Sequence, residues 1–349
     1  MTSTSEAVHN LSGTVLQNGW RVLNLIVPSS CATGGSFSCG YVVESPTGEQ
    51  AFLKAFDFSQ AMESADPAVT LNAMTSAFIF ERELLRRCHQ KQLKRIVTVM
   101  GGGQVRVPTA PGGVIYYLIF ERADADVRIK IDTERRFDVA WRLRTLHHIA
   151  SAIRQLHGVK IAHQDVKPSN ILFYSQHGSK LTDLGRAACE GLNPPHEGEA
   201  IAGDPDYAPP ELLYGFTGDW HTRRFGCDLY LLGSMIVYFF TNQGITHLWM
   251  KNLEPTLRPS SYQGPYSAIV AHVRDAFGTA LDEFRTHIHQ IDIRDELSTF
   301  VRQLCDPDPY HRGHPAERGR GGNPFSLERY ISRFNHLATR IELGLYGKG

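Results

Sequence analysis

A chain of 349 residues is long enough for two domains or one large bilobal domain, and its hydrophobic fraction of 42% supports a sizeable core. Basic and acidic residues number 36 each, so no net charge directs the protein to nucleic acid or to an anionic membrane surface. The six cysteines include no C-x-x-C pair, which argues against a zinc knuckle or a disulfide framework and favours a reducing, cytoplasmic compartment.

The sequence contains no feature that predicts a membrane anchor. Residues 1–13 lack the basic-then-apolar layout of a signal peptide. The longest apolar run, residues 229–240, is too short to span a bilayer and predicts a buried core helix instead. We therefore expect a soluble, cytoplasmic protein.

The first third of the chain alternates extended apolar runs with glycine-rich turns. A helix is expected between the third and fourth runs, over residues 71–88, with Phe80, Leu84 and Leu85 near one face. Strands interrupted by one helix predict a small sheet with a helix packed on it. The extended runs are residues 20–27, 38–44, 50–56, 95–107 and 113–122.

The later part of the chain has a helical character. Apolar residues at three- and four-residue spacing predict an amphipathic helix over residues 138–157, and two short strands follow at 171–174 and 180–183. From about Arg223 the pattern is mostly helical, and it ends in a helix over residues 326–343.

These elements predict an α+β, bilobal fold, with a small β-rich N-terminal lobe and a larger helical C-terminal lobe. The two lobes are expected to join near residues 121–123. The predicted segments are an N-terminal tail (1–18), the β-rich lobe (19–122), the helical lobe (123–315), and a loop with a C-terminal helix (316–349).

A glycine-rich turn and a strand lysine stand out in the first lobe. The turn lies within residues 33–44, where free backbone N–H groups can hold phosphates, although an ordinary hairpin turn is an equal alternative. Lys54 follows in an apolar strand, where an ion pair with the next helix would explain a charge among apolar residues. Glu83 is the expected partner, with Glu81 as the second choice.

The stretch HQDVKPSNIL, residues 163–172, concentrates polar chemistry in one loop. Asp165 can take a proton, Lys167 can hold a phosphate, and Asn170 can help to hold a divalent metal. Asp183 ends an apolar strand 13 residues after Asn170, with a hairpin between them. It is either a second oxygen ligand for the metal or an ordinary residue of a strand-ending turn.

Together these pieces resemble the eukaryotic-type (Hanks-type) Ser/Thr protein kinase family. HQDVKPSN is similar to the family's catalytic loop H-R-D-x-K-P-x-N, and the following DLG is similar to the metal-binding D-F-G. Other segments within residues 30–315 resemble further family motifs: FLK at 52–54 resembles the strand lysine, GDPDYAPPE at 203–211 the end of the activation segment, and DLYLLG at 228–233 the start of the central helix. Arg312 stands where the family has an arginine that pairs with the glutamate of A-P-E, which is Glu211 here.

The resemblance implies catalytic roles for four residues. Asp165 would accept the proton of a substrate hydroxyl, and Lys167 would neutralise charge on the transferring phosphoryl group. Lys54, held by Glu83, would contact the α- and β-phosphates of a nucleotide. The lysine two residues after the aspartate, followed by Pro168, is the pattern of Ser/Thr kinases rather than Tyr kinases.

The resemblance also implies ATP and Mg²⁺ as cofactors, with Asn170 and Asp183 as the magnesium ligands. Phe120 would lie at the back of the adenine pocket, and the backbone from Glu121 to Ala123 would face the base. The implied nucleotide-binding residues are Gly34, Gly35, Ser36, Phe37, Ser38, Lys54, Phe120, Glu121, Ala123, Asn170 and Asp183.

Three departures from the family pattern concern activity. Of the glycines in G-x-G-x-x-G only the middle one is matched, by Gly35, while Thr33 and Ser38 replace the outer two. Gln164 replaces an arginine that reads an activation-loop phosphate in many kinases. Asp204 replaces a threonine, and its carboxylate could either raise the pKa of Asp165 or pair with Lys167.

The activation segment offers no acceptor for phosphorylation between residues 186 and 203, because this stretch contains no Ser, Thr or Tyr. We therefore predict a kinase that does not require a phosphate there.

Two alternatives stay open: a catalytically weak pseudokinase scaffold, and a small-molecule phosphotransferase of kinase-like fold. Expected partners are protein substrates with Ser or Thr, and residues 57–72 and the C-terminal helix are candidate contact regions for a regulatory protein.

Overall fold

The computed structural model describes residues 6–26, 38–133, 139–216, 218–319 and 321–344. The chain divides into two compact units. The described residues up to Ala125, together with Thr182–Gly185, form the first unit. Asp126–Leu181 and the described residues from Arg186 onward form the second unit.

The first unit is built on a five-stranded antiparallel sheet with the strand order β1-β2-β3-β5-β4. Its residues alternate between a buried and a more exposed face, as a half-buried strand requires. In the second strand, Tyr41 and Val43 are fully buried. Gly40 of the same strand has no side chain, which leaves room for the ring of Phe52. The strands are β1 (Arg21–Ile26), β2 (Ser38–Glu44), β3 (Gln50–Phe56), β4 (Val99–Arg106) and β5 (Val114–Glu121).

The described residues before β1 contribute Ala7, Val8, Leu11 and Leu16 to the core of this unit. A short helix, α1 (Glu6–His9), is joined to the sheet by the hydroxyl of Tyr41, which donates to the Val8 carbonyl oxygen at 2.6 Å. The same hydroxyl accepts the N–H of Leu11, and both Val8 and Leu11 are buried.

Two helices follow the third strand, α2 (Ser59–Glu63) and the long α3 (Pro67–Gln90). Asp66 caps α3 by accepting the N–H of Val69, and Pro67 has the fixed φ that suits the first helical position. The helix predicted over residues 71–88 is therefore longer in the structure, where it spans Pro67–Gln90. Its buried residues also differ from the expected face around Phe80: they are Phe78, Glu81, Leu84, Leu85 and Cys88.

The second unit is mainly helical. Its longest buried element is α7, which begins after Asp219, whose carboxylate accepts the N–H groups of His221 and Thr222. The predicted core helix over the apolar run is thereby confirmed. The helices are α4 (Val127–Thr133), α5 (Val139–Gly158), α6 (Pro210–Leu213), α7 (Trp220–Thr241), α8 (Ile245–Asn252), α9 (Tyr266–Thr286), α10 (Ile291–Leu304), α11 (Pro315–Arg318) and α12 (Glu328–Glu342).

Short strands surround the polar loop of the second unit. After β6 (Ala125–Asp126), strand β7 (Ile161–Ala162) pairs with β10 (Ala188–Cys189), and β8 (Ile171–Tyr174) forms a hairpin with β9 (Gly178–Leu181). The loop at 163–170 therefore begins at the end of one strand and ends at the start of another. The α+β fold class with two lobes is confirmed.

None of the helices in the described part of the chain combines the length and the apolarity that a membrane-spanning helix needs.

The C-terminal helix α12 is an integral part of the second unit. Its apolar residues Tyr330, Phe334 and Leu337 are buried, and the ring of Phe334 lies 5.4 Å from that of Phe300. On its polar side, Arg144 of α5 makes a 2.6 Å ion pair with Glu342. The predicted terminal helix is confirmed, and its burial indicates a role in stability.

We expect Phe334→Ala to lower the free energy of unfolding of the second unit by about 3–5 kcal/mol, because it removes a fully buried ring. Denaturant unfolding followed by tryptophan fluorescence measures this loss, since three of the four tryptophans, Trp141, Trp220 and Trp249, lie in this unit. His336→Ala, an exposed change on the same helix, is the control. Equal unfolding midpoints for the two variants would show that α12 is dispensable.

Candidate active site

A buried carboxylate holds the polar loop of the second unit. Asp228 of α7 has no exposed surface and accepts the backbone N–H groups of His163 at 2.9 Å and Gln164 at 2.7 Å. The imidazole Nε2 of His157 lies 2.8 Å from the same carboxylate. Gln164 has a left-handed backbone with φ 64°, which is uncommon for a non-glycine residue, and the hydrogen bonds from its N–H and side chain hold it there.

The side chain of Asp165 is fixed by donors on both of its carboxylate oxygens. Asn170 donates its amide to Oδ2 at 3.0 Å, and the backbone N–H of Asp204 donates to Oδ1 at 2.9 Å. The ammonium of Lys167 lies 3.3 Å from Oδ2. Asp165 is 7% exposed, so these contacts rather than water determine its orientation.

Lys167 lies between two carboxylates. Its Nζ is 3.3 Å from Asp165 and 3.2 Å from Asp204. Burial alone would lower the pKa of Lys167, but the charges of Asp165 and Asp204 raise it above its ordinary value, so the ammonium stays charged. Of the two possibilities for Asp204, pairing with Lys167 is therefore the one observed.

The residue before Asp204 has to be glycine. A Cβ at Gly203 would lie 2.3 Å from the carbonyl oxygen of Gln164 and 2.9 Å from Oδ1 of Asp165. Contacts this short with backbone are not tolerated, so only glycine lets the activation segment bring the N–H of Asp204 to Asp165.

In the first unit, Lys54 forms an ion pair with Glu81 of α3. Its Nζ lies 3.0 Å and 3.2 Å from the two oxygens of Glu81, and 3.3 Å from Oδ1 of Asp183. The prediction that Glu83 is the partner of Lys54 is wrong. Glu83 is exposed and forms a 2.7 Å ion pair with Arg86. The reason is the phase of α3, which buries Glu81 three residues after Phe78, whereas Glu83 faces solvent.

Electrostatics keep Lys54 protonated. Burial alone would lower the pKa of its ammonium, but the carboxylates of Asp183 and Glu81 raise it above the ordinary value. Asp183 itself has a left-handed backbone with φ 63°, and its Oδ1 accepts the N–H of Gly185. A Cβ at Gly185 would lie 3.2 Å from that oxygen, so glycine keeps space beside the carboxylate.

The remaining predicted nucleotide-binding residues are positioned as follows. Ser38 begins β2, and Phe120 in β5 is buried with its ring 6.4 Å from that of Phe52. The backbone N–H of Glu121 donates to the carbonyl oxygen of Thr98 at 3.1 Å. Ala123 follows β5. Gly34, Gly35, Ser36 and Phe37 lie outside the described residues.

A buried ion pair anchors the segment after the activation loop. The guanidinium of Arg312 makes two hydrogen bonds to Glu211, each 2.5 Å, and both residues are buried. Arg312 also donates to the carbonyl oxygen of Asp306 at 2.9 Å. The predicted pairing of Glu211 with Arg312 is confirmed.

Sequence reasoning missed Arg224, whose side chain is only 2% exposed and contacts Gln164. A signal for it was available. Arg224 stands one turn before Asp228 near the start of an apolar helix, where a charged residue on the same face is unusual unless it has a buried partner.

The motif order and this geometry agree with a comparison of the whole sequence with known families. The family described as "Protein kinase domain" matches residues 33–317. The chain belongs to the protein kinase family. The predicted resemblance to eukaryotic-type kinases is therefore confirmed.

Curated relatives of this kinase come from distant organisms. They include "Hormonally up-regulated neu tumor-associated kinase" of Mus musculus, 25% identical over 85% of this chain and 36% of that protein. "Aurora/IPL1-related protein kinase 2" of Caenorhabditis briggsae is 28% identical over 36% of this chain and 40% of that protein. "Serine/threonine-protein kinase PkaB" of Streptomyces coelicolor is 30% identical over 32% of this chain and 27% of that protein. The matched part is thus well under two thirds of each relative's length.

We expect Glu81→Gln to lower kcat/KM for ATP-dependent phosphoryl transfer by about 10²-fold, because the variant weakens the ion pair that holds the ammonium of Lys54 in place. A small displacement of such a group lowers the rate by roughly that factor. Glu83→Gln removes the same charge two residues away on the exposed side of α3 and should leave the rate unchanged. Initial rates with radiolabelled ATP and a generic protein substrate measure both. A loss in Glu83→Gln with none in Glu81→Gln would contradict the observed pairing.

Proposed function

We propose that this protein kinase is a Ser/Thr kinase that transfers the γ-phosphoryl group of ATP to hydroxyl groups of proteins. The observation that carries the proposal is the fixed carboxylate of Asp165, which is oriented by Asn170, Lys167 and the N–H of Asp204. A base held in place before substrate arrives is what a reaction catalysed by positioning and electrostatics needs.

In this proposal Asp165 accepts the proton of the substrate hydroxyl, and the charged ammonium of Lys167 stabilises the transferring phosphoryl group. Lys54, aligned by Glu81, contacts the α- and β-phosphates. Its raised pKa supports this role, because a phosphate-binding lysine has to remain charged. The predicted contacts of Phe120, Ala123 and residues 34–38 with the nucleotide stay part of the proposal.

The donor chemistry of Asn170 and Asp183 fits a magnesium ion. The amide nitrogen of Asn170 donates to Asp165, and its oxygen receives a long 3.5 Å hydrogen bond from Ser169. Asp183 offers a carboxylate that is 39% exposed. Amide and carboxylate oxygens suit Mg²⁺, which takes few protein ligands and completes its shell with water and phosphate oxygens. When bound, Mg²⁺ would neutralise phosphate charge.

Specificity for Ser and Thr is supported by Lys167 followed by Pro168, and by the printed name of the Streptomyces relative. The buried pair of Glu211 and Arg312 favours a protein substrate over a metabolite, because the family uses this pair to anchor its protein-substrate platform. We also propose that the kinase acts on protein substrates in the cytoplasm and has a regulatory protein partner.

We further propose that activity does not require phosphorylation of the activation segment. Residues 186–203 contain no Ser, Thr or Tyr. At the position before Asp165, the neutral Gln164 makes hydrogen bonds to Arg186 and Arg224, so the loop is held without a phosphate.

The decisive experiment compares wild-type protein with Asp165→Asn and Lys54→Ala in the presence of labelled ATP and Mg²⁺. We expect label on serine and threonine of a protein substrate with the wild type, and a loss of at least about 10³-fold in both variants, because proton acceptance and phosphate alignment are each removed. Phosphatase treatment beforehand should not change the wild-type rate.

Other outcomes identify the alternatives. Label found only on a small molecule would indicate a metabolite phosphotransferase. Absence of transfer, together with absence of nucleotide binding by calorimetry, would indicate a scaffold.

A further inference from the structure

A buried arginine links the activation segment to the catalytic loop within the second unit. Arg224, near the start of α7, is 2% exposed and donates Nη2 to the carboxylate of Glu197 at 2.8 Å. Its Nη1 donates to the side-chain oxygen of Gln164. Glu197 belongs to the activation segment, and Gln164 directly precedes Asp165.

Gln164 transmits this contact to the backbone of the loop. Its amide nitrogen donates to the carbonyl oxygen of Arg186 at 2.9 Å, and its own N–H donates to Asp228 at 2.7 Å. These bonds, with the one from Arg224, hold a left-handed backbone conformation that glutamine rarely adopts. Loosening Gln164 therefore changes the direction in which the chain enters Asp165.

The carboxylate of Glu197 supplies the negative charge that pairs with the buried guanidinium of Arg224. A buried guanidinium without a counter-charge is strongly unfavourable. Gln164 is neutral, and His196, buried nearby, has its pKa lowered to about 4 by burial and by the charges of Arg186 and Arg224, so it is neutral at neutral pH. Among the residues that the structure describes, Glu197 supplies the carboxylate in hydrogen-bonding distance of Arg224.

Glu199, two residues on, is exposed to a similar extent as Glu197 (51% against 46%), but its partner is exposed instead of buried. Its carboxylate pairs at 3.1 Å with Arg186, and both side chains are about half exposed. An exposed pair of this kind contributes little to stability. Glu199 is therefore a matched control: it has the same charge in the same segment but no bond to a buried group.

We propose that Glu197 is a positioning residue whose permanent negative charge holds Arg224 against Gln164 and thereby fixes the catalytic loop. This inference rests on the proposed function. Glu197 of the activation segment and Arg224 of α7 together keep the loop in the conformation that catalysis needs, without any modification.

The test compares Glu197→Gln, Glu197→Asp and Glu199→Gln in the full chain. For Glu197→Gln we expect kcat to fall about tenfold or more while KM for ATP stays within about twofold, because Asp165 is displaced but the nucleotide contacts remain. Glu197→Asp should recover part of the rate, because it restores the charge. Glu199→Gln should match the wild type.

Hydrogen exchange provides a readout that does not depend on activity. Peptides covering residues 161–170 should exchange faster in Glu197→Gln than in Glu199→Gln, because Gln164 loses its anchor. Equal exchange and equal kcat in these two variants would overturn the inference. If the wild type transfers no phosphate, the proposed function fails, and the exchange comparison alone still decides the role of Glu197.

Discussion

The candidate active site depends on one buried carboxylate. Asp228 lies on the core helix α7 and accepts the backbone N–H groups of two consecutive residues, His163 and Gln164. A carboxylate withdrawn from water is tolerated only when its oxygens are hydrogen-bonded, so the helical core and the loop stabilise each other. Because Asp165 comes next in the chain, the packing of α7 determines where the proposed base points.

Within each unit, a buried or half-buried lysine is paired with two carboxylates. Lys167 lies between Asp165 and Asp204, and in the other unit Lys54 lies between Glu81 and Asp183. Two of the residues that depart from the family pattern contact a basic side chain of the second unit. Asp204 forms an ion pair with Lys167, and Gln164 accepts a hydrogen bond from Arg224. These two contacts help to hold the loop in place, as the proposed activity requires.

The sequence predicted the features that a family motif marks, including the distant pair of Glu211 and Arg312, but it failed for contacts that depend on how unmarked residues pack. The resemblance of HQDVKPSN to the family's catalytic loop indicated where Asp165, Lys167 and Asn170 lie. The choice between Glu81 and Glu83 required the phase of α3, which packing of Phe78 rather than Phe80 determines. The partner of Asp204 depends on how the activation segment folds back, and no local pattern encodes that.

The most direct test of this account is the phosphoryl-transfer rate of Asp228→Asn, measured at steady state with saturating labelled ATP and protein substrate. The amide keeps the size of the side chain, but it replaces one of the two oxygens that accept the backbone N–H groups with an NH2 group, which cannot accept a hydrogen bond. We predict a rate at least about 10²-fold lower with an unchanged dissociation constant for ATP, in a variant whose circular dichroism matches the wild type. A wild-type rate in a folded Asp228→Asn protein would contradict the claim that this carboxylate positions the base.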